Sequence, residues 1–228
     1  MVRSRVICAI LDPSERDALG RIGRVQRIPR GTTLLWEGEE ARLVANVLEG
    51  VLKLSTSTAD GREQILGVAY VSDFVGRLHA HTSPYRITAV TDARLCLFPR
   101  SAFERYAREH PALEHLLLER TLSDLDRAHA QLLDLGRRTA TERVASFLLD
   151  LSQRLSDAGC GAHAAKALPL DGFDLPLDRQ QIGDLMGLAI ETVSRTFQKL
   201  KAAGILDLPG RRAVRILDRR RLEAAAGR

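Results

Sequence analysis

The sequence predicts an α+β protein in three stretches: short antiparallel strands first, one long helix next, and a helical unit closed by a hairpin last. Three observations carry that prediction. From Val25 to Phe98, short apolar runs are broken by turn residues; after Pro111, leucines recur at helical spacing; and beyond Phe173 two helical periods flank a glycine and give way to a Pro-Gly turn. The bulk properties fit. A chain of 228 residues with 45% hydrophobic and 28% charged residues has an ordinary globular composition, and it has no run of 18 uninterrupted apolar residues to span a membrane. The opening "MVRSRVICAILDPSE" lacks a signal-peptide core and cleavage site, which predicts a cytoplasmic location. Cys8, Cys96 and Cys160 are odd in number and widely spaced, which argues against a disulfide framework.

The strand region reads "TTLLWEG", "ANVLEGVLKLSTS", "ADGREQILGVAYV" and "YRITAVTDARLCLFP". Asp60-Gly61 between two such runs is a hairpin signal. Gly38, Gly50, Gly67 and Gly76 recur at intervals of roughly ten residues, as in a sandwich or barrel rather than βαβ units. An antiparallel β-roll follows, closed by Pro99.

Next, "SAFERYAREHP" predicts a short helix, and Pro111 suits the first turn of a longer one. Along it Leu118, Leu122, Leu125, His129 and Leu132 are spaced 4, 3, 4, 3, the pattern of a seam against a partner helix. Leu113, Leu116, Leu117, Leu133 and Leu135 supply a second apolar face for the chain's own β-domain. A helix apolar on two faces buries both, so a homodimer is predicted, with the polar His129 in the seam and Asp124 and Asp126 beside it opposing association. Gly136 marks a break. "TATERVASFLLDLSQRL" then predicts an amphipathic helix and "SDAGCGAHAAKALPLDG" a loop.

The remainder parses as a short strand, a helix from Arg179 to Met186, a turn at Gly187, a helix from about Ile190 to Ala203, and a hairpin turning at Pro209-Gly210: a winged helix-turn-helix. The predicted divisions are 1–110 for the β-roll with flanking helices, 111–136 for the dimerisation helix and 137–228 for the winged unit. Charge agrees with this division. Residues 1–136 hold 18 basic and 18 acidic side chains, whereas 137–228 hold 16 against 11, so the whole net +5 lies in the last part. Such asymmetry suggests a polyanionic partner.

In a helix-turn-helix the second helix enters the major groove of DNA. Here its first turns place Glu191, Ser194 and Arg195 on one face. Arginine bonds guanine O6 and N7 as a fork, glutamate accepts from cytosine N4, and serine bonds either class of base or packs near a thymine methyl. The competing reading is structural: Glu191 complements the helix N-terminus and pairs with Arg195 at i+4. Thr192, Lys199, Arg211 and Arg212 are, by chemistry and position, candidates for the DNA backbone.

"LPLDRQQIGDLMGLAIETVSRTFQKLKAAGIL" closely resembles the DNA-binding segment of the Crp/Fnr superfamily of bacterial transcription regulators, and its E-x-x-S-R matches the Fnr branch. The resemblance covers nearly the whole chain: "LWEGEEARLVANVLEGVLKLS" and "DGREQILGVAYVSDFVGR" resemble that family's cyclic-nucleotide-binding-like jelly roll, and "LGRRTATERVASFLLDLSQRL" the segment after its dimer helix. The wording is most similar to the alphaproteobacterial Fnr-like proteins. The resemblance implies that Glu191, Ser194 and Arg195 read a TTGA-type half-site, that Arg179 contacts phosphate, and that a dimer acts on a palindrome in double-stranded DNA together with RNA polymerase.

Two departures from the family bear on cofactors. Cyclic-nucleotide members hold their ligand with Gly-Glu and Arg-Ser pairs, where this chain has Arg77 in "FVGRL" and Ser83-Pro84 in "TSPYR"; no cyclic-AMP binding is therefore expected. Oxygen-sensing members hold a [4Fe-4S] cluster with four cysteines. Cys96 matches the late ligand and Cys8 resembles the last of the N-terminal group, which leaves the set two short. The chain as printed is expected to carry no cofactor, the alternative being a cluster completed by cysteines upstream of Met1. A rival function rests on His79 and His81, an H-x-H of the kind that cupins use for metal, which would make a cupin-like enzyme or metal sensor with a DNA-binding tail. No carboxylate follows until Asp92, so that ligand set is incomplete.

Overall fold

The computed structural model describes Ile7 and residues 10–159 and 168–227, which form two compact units: residues up to 62 with 66–127, and residues 63–65 with 128–159 and 168–227. The first unit opens with α1 (Pro13–Ile22), whose start is fixed by a capping box. Glu15 N donates to Asp12 Oδ1 at 2.8 Å and Asp12 N donates to Glu15 Oε2 at 2.8 Å, with Pro13 at the first helical position. The stretch "DPSE" carries the start signal of this helix.

Eight strands follow: β1 (Arg24–Ile28), β2 (Thr33–Leu35), β3 (Leu43–Glu49), β4 (Leu52–Ser57), β5 (Glu63–Ala69), β6 (Phe74–Val75), β7 (Arg86–Ala89) and β8 (Ala93–Pro99). They make two four-stranded sheets, ordered β1-β8-β3-β6 and β2-β7-β4-β5. The Asp60-Gly61 turn joins β4 to β5, with Thr58 N donating to Arg62 O at 2.9 Å. Alternation along each strand sorts the side chains. Ala45 and Val47 of β3 and Leu95 and Leu97 of β8 join Leu52 and Ile87 in the inner core. Val44 and Phe98 face the other way and pack with Leu19 of α1 and Phe103 and Tyr106 of α2 (Arg100–Glu109).

The long helix α3 (Pro111–Arg137) buries Leu113 and Leu117 in that second cluster. Of the leucines expected on this inward face, Leu116 and Leu135 are half-buried and Leu133 is exposed. The break expected at Gly136 lies slightly later: Gly136 is helical, and the chain turns at Arg138 and Thr139. There a capping box decides the boundary, because Thr139 N donates to Glu142 Oε2 at 2.7 Å and Glu142 N donates to Thr139 Oγ1 at 3.3 Å, starting α4 (Ala140–Gly159). Helix α4 extends four residues into the expected loop, whose residues 160–167, Cys160 among them, lie outside the described residues.

The second unit continues with β9 (Gly172–Asp174), α5 (Arg179–Met186), α6 (Ile190–Ala202), β10 (Leu206–Asp207), β11 (Ala213–Ile216) and α7 (Arg219–Ala225). The three strands form a small antiparallel sheet ordered β10-β11-β9, with Leu206 opposite Ile216 and Val214 opposite Phe173. Helix, turn, helix and hairpin stand as the sequence predicts, with α7 added after Asp218 caps it. The turn between α5 and α6 depends on close backbone approach. A Cβ at Gly183 would lie 2.4 Å from the carbonyl oxygen of Leu188, an oxygen fixed in the backbone of the turn. Gly183→Ala is therefore expected to destabilise this unit by about 1–3 kcal/mol, the usual range for overpacking. Thermal unfolding monitored by circular dichroism checks it; an unchanged midpoint would contradict it.

Candidate nucleic-acid interface

Helix α5 begins where Asp178 caps it: Gln181 N donates to Asp178 Oδ1 at 2.9 Å, and Asp178 N donates to Gln181 Oε1 at 3.0 Å. It ends at Gly187, whose φ of +62° is left-handed, a conformation that costs glycine nothing. These two local signals set the first helix and the angle at which α6 departs. Along α6, Val193, Thr196, Phe197 and Leu200 are buried at helical spacing. Thr196 satisfies its hydroxyl by donating to Thr192 O at 2.8 Å. The same spacing turns the remaining residues outward.

On that outward face Glu191 and Arg195 are exposed and Ser194 is half-buried. Glu191 lies in the first turn, where the helix dipole favours an anion, and the N-cap Ala189 brings no side-chain acceptor of its own. The expected alternative, an i,i+4 ion pair between Glu191 and Arg195, does not form among the described residues. Both charges instead face solvent, with their hydrogen-bonding capacity available to a ligand.

The residues expected at the DNA backbone divide in two. Lys199 and Arg211 are exposed, and Thr192 is half-buried. Arg212 turns inward and donates from Nη1 to Pro176 O at 3.0 Å, while Leu175 N donates to Arg212 O at 2.9 Å. It pins the hairpin to the segment before α5. Arg179 is half-buried, with its guanidinium carbon 3.3 Å from the centroid of the Phe197 ring. Burial pulls its pKa down to about 10, and its Nη1 is buried with no hydrogen-bond partner among the described residues.

The seam residues of α3 stand open. Leu118, Leu122, Leu125 and Leu132 are 56%, 53%, 49% and 66% exposed, and every residue from 121 to 130, His129 included, is exposed. Asp124 forms an ion pair with Arg127 one turn on, which offsets its charge beside the seam, while Asp126 faces solvent.

In the β-roll, Arg77 is exposed. Ser83 is buried and committed to local structure: its hydroxyl donates to Tyr85 O at 2.6 Å, and its own carbonyl accepts from Gly38 N at 2.8 Å. His79 and His81 are both exposed; Glu104 accepts from the backbone N of His79 at 2.8 Å and is ion-paired with Arg100 at 2.7 Å. Among the described residues no three His, Cys, Asp or Glu side chains gather as a metal site, so the H-x-H finds no third ligand there. Cys96 is half-buried in β8, opposite Asn46 of β3 and Val25 of β1. Cys8 lies outside the described residues. No sequence pattern singles out Arg143, yet its guanidinium makes three hydrogen bonds at the junction of α3, α4 and α5.

A two-sheet β-roll, a long helix with an open apolar seam, and a helix-turn-helix with a basic hairpin define a DNA-binding transcription regulator. The comparisons agree with that class. Residues 25–110 match the cyclic nucleotide-binding domain and residues 142–225 the Crp-like helix-turn-helix domain. The chain is 39% identical to the transcriptional activator protein FnrL of Cereibacter sphaeroides, over 99% of this chain and 90% of that protein. It is 35% identical to the nitrogen fixation regulation protein FixK of Bradyrhizobium diazoefficiens, over 99% and 91%. The structure of FixK2 from Bradyrhizobium japonicum superimposes with a TM-score of 0.79 at 30% identity, covering 90% of this chain and 97% of that one. The chain belongs to the Crp/Fnr family of transcription regulators, and the metal-dependent enzyme reading is set aside.

Arg179 yields a prediction about stability. Methionine at that position would keep apolar packing on Phe197 and remove a buried, unpaired donor, whose desolvation costs about 1–3 kcal/mol. Arg179→Met is expected to leave the melting temperature unchanged or raise it; a clear fall would show that the guanidinium stabilises the unit.

Proposed function

We propose that the chain works as a homodimer that reads a TTGA-type palindrome with Glu191, Ser194 and Arg195 of the two α6 helices. The observation that carries this reading is the exposed face of α6. An acceptor, a hydroxyl and a forked cation lie together on the groove-entering helix, and neither charge is neutralised by the other. A glutamate placed among phosphates is costly unless it meets a base donor such as cytosine N4, so it favours specific readout over charge attraction alone. Lys199, Arg211, Thr192 and, on its aromatic platform, Arg179 are assigned to the phosphates. Arg212 has a weaker claim because it already serves Pro176.

The open seam of α3 supports a second copy as the partner. Each buried leucine is worth about 1.5–3 kcal/mol, and four per helix across a two-fold axis drive association strongly. By analogy with relatives named as transcriptional activators, the bound dimer is assigned to activation through RNA polymerase in the cytoplasm. Consistent with that, no helix among the described residues is long and apolar enough to cross a membrane. Cyclic AMP is not the assigned effector: Arg77 replaces the acidic partner, and Ser83 is tied to Tyr85 and Gly38 where an arginine would be needed for the phosphate. A [4Fe-4S] cluster is not assigned to the chain as printed either, because its cysteines supply two plausible ligands of the four required.

Two outcomes are expected. Arg195→Ala should cost about 1–3 kcal/mol in operator binding and flatten preference at one G·C pair in a selection from random duplexes. Unchanged base preferences would remove Arg195 as a reader. Leu125→Asp should give a monomer by sedimentation at micromolar concentration, with loss of palindrome binding; a persistent dimer would show that the seam lies elsewhere.

A further inference from the structure

We infer that Arg143 is a positioning residue that sets the spacing at which the dimer reads its two half-sites, by clamping the helix-turn-helix to the end of the long helix. The inference rests on the dimeric, palindrome-reading function proposed above.

The geometry is a three-way junction inside the second unit. From α4, Arg143 donates Nη2 to Leu135 O at 2.8 Å, Nε to Arg138 O at 2.9 Å and Nη1 to Met186 O at 2.8 Å. Leu135 lies in the last turn of α3, Arg138 follows its end, and Met186 is the last residue of α5. The final four carbonyls of a helix have no partner within it, and they carry the negative end of its dipole. One guanidinium therefore meets the exposed carbonyls of two helix ends with a charge of the right sign. Its planar fork reaches them together, which a lysine ammonium cannot reproduce.

Neighbouring contacts fix the same joint. Gln131 of α3 donates Nε2 to Leu185 O at 3.2 Å, so two consecutive carbonyls at the end of α5 are held by side chains from two other helices. A Cβ at Gly187 would meet Leu135 Cδ2 at 3.3 Å, so the helix-turn-helix bend sits directly against α3. Arg143 is also far along the chain from the reading face on α6, and neither Arg143 nor Gln131 is among the residues assigned to bases or phosphates. Their effect on DNA must pass through the placement of α5 and α6 relative to α3. In a dimer joined along α3, that placement sets the distance between the two reading helices.

The experiment compares binding to palindromes whose spacer is correct, one base pair short or one base pair long, and to a duplex with a single half-site. The wild type should show a sharp spacing optimum. Arg143→Lys should remain dimeric by sedimentation and bind the single half-site within about two-fold of wild type. It should lose about ten-fold at the optimal spacer, as expected for losing charge-assisted hydrogen bonds. It should lose much less at the altered spacers, so that spacing discrimination collapses. Gln131→Ala should do the same more weakly. A merely structural role would lower affinity for all duplexes in proportion and leave the spacing ratio intact; that result in a folded Arg143→Lys dimer overturns the inference. If Arg143→Lys fails to fold, Gln131→Ala decides, and unchanged discrimination there overturns it as well. A wild type with no spacing optimum would remove the dimeric reading itself, and with it the clamp; an optimum that survives in the variants removes the clamp alone.

Discussion

Helix α3 has more apolar surface than one chain covers, and the rest of the design depends on how that surface is used. Its first turns are satisfied within the chain, since Leu113 and Leu117 pack against Phe98, Phe103 and Tyr106. Beyond Leu117 the helix leaves that cluster, and the seam at Leu118, Leu122, Leu125 and Leu132 remains in water at about half exposure or more. Soluble proteins seldom leave such a contiguous apolar stripe uncovered. The proposed dimer would cover it with a second α3, since seams at heptad spacing are self-complementary about a two-fold axis. The ion pair between Asp124 and Arg127 offsets one of the two acidic charges beside the seam, and Asp126 stays exposed to solvent.

The DNA-binding unit solves a different problem. Helix α6 must be held firmly from behind and left free in front. Val193, Phe197 and Leu200 fix its back in the core, and the Gly183 contact with Leu188 O brings α5 and α6 close at the turn. Phe197 also supports the guanidinium of Arg179 on its ring, so a core residue of the recognition helix shapes a cation of the preceding helix. The front keeps Glu191, Ser194 and Arg195 uncommitted. Groups in that state can bond bases without first giving up bonds to their own chain, which lowers the cost of recognition.

Local signals made much of this legible in the sequence. Asp178 with Gln181 and Gly187 mark both ends of α5, and the alternating strands with Asp60-Gly61 mark the roll and its hairpin. The same kind of signal stands at Asp12 with Glu15, and Thr139 with Glu142, not Gly136, sets the boundary between α3 and α4. Long-range packing was not legible. Nothing in "RRAVRI" shows that Arg212 turns to Pro176 while Arg211 stays in water, and nothing in "TERVAS" shows that Arg143 gathers carbonyls from Leu135, Arg138 and Met186. Such contacts follow from where separate helices end in space, and no periodicity within one helix encodes that.

Stoichiometry tests the central claim most directly. Native mass spectrometry of the chain, titrated into a duplex with two inverted TTGA half-sites one helical turn apart, counts chains per DNA. Two chains per duplex should dominate even when protein is scarce, because association along α3 couples the two binding events. A one-chain complex that dominates at low protein and fills its second site independently would contradict the claim that two copies joined along α3 read the palindrome as a unit.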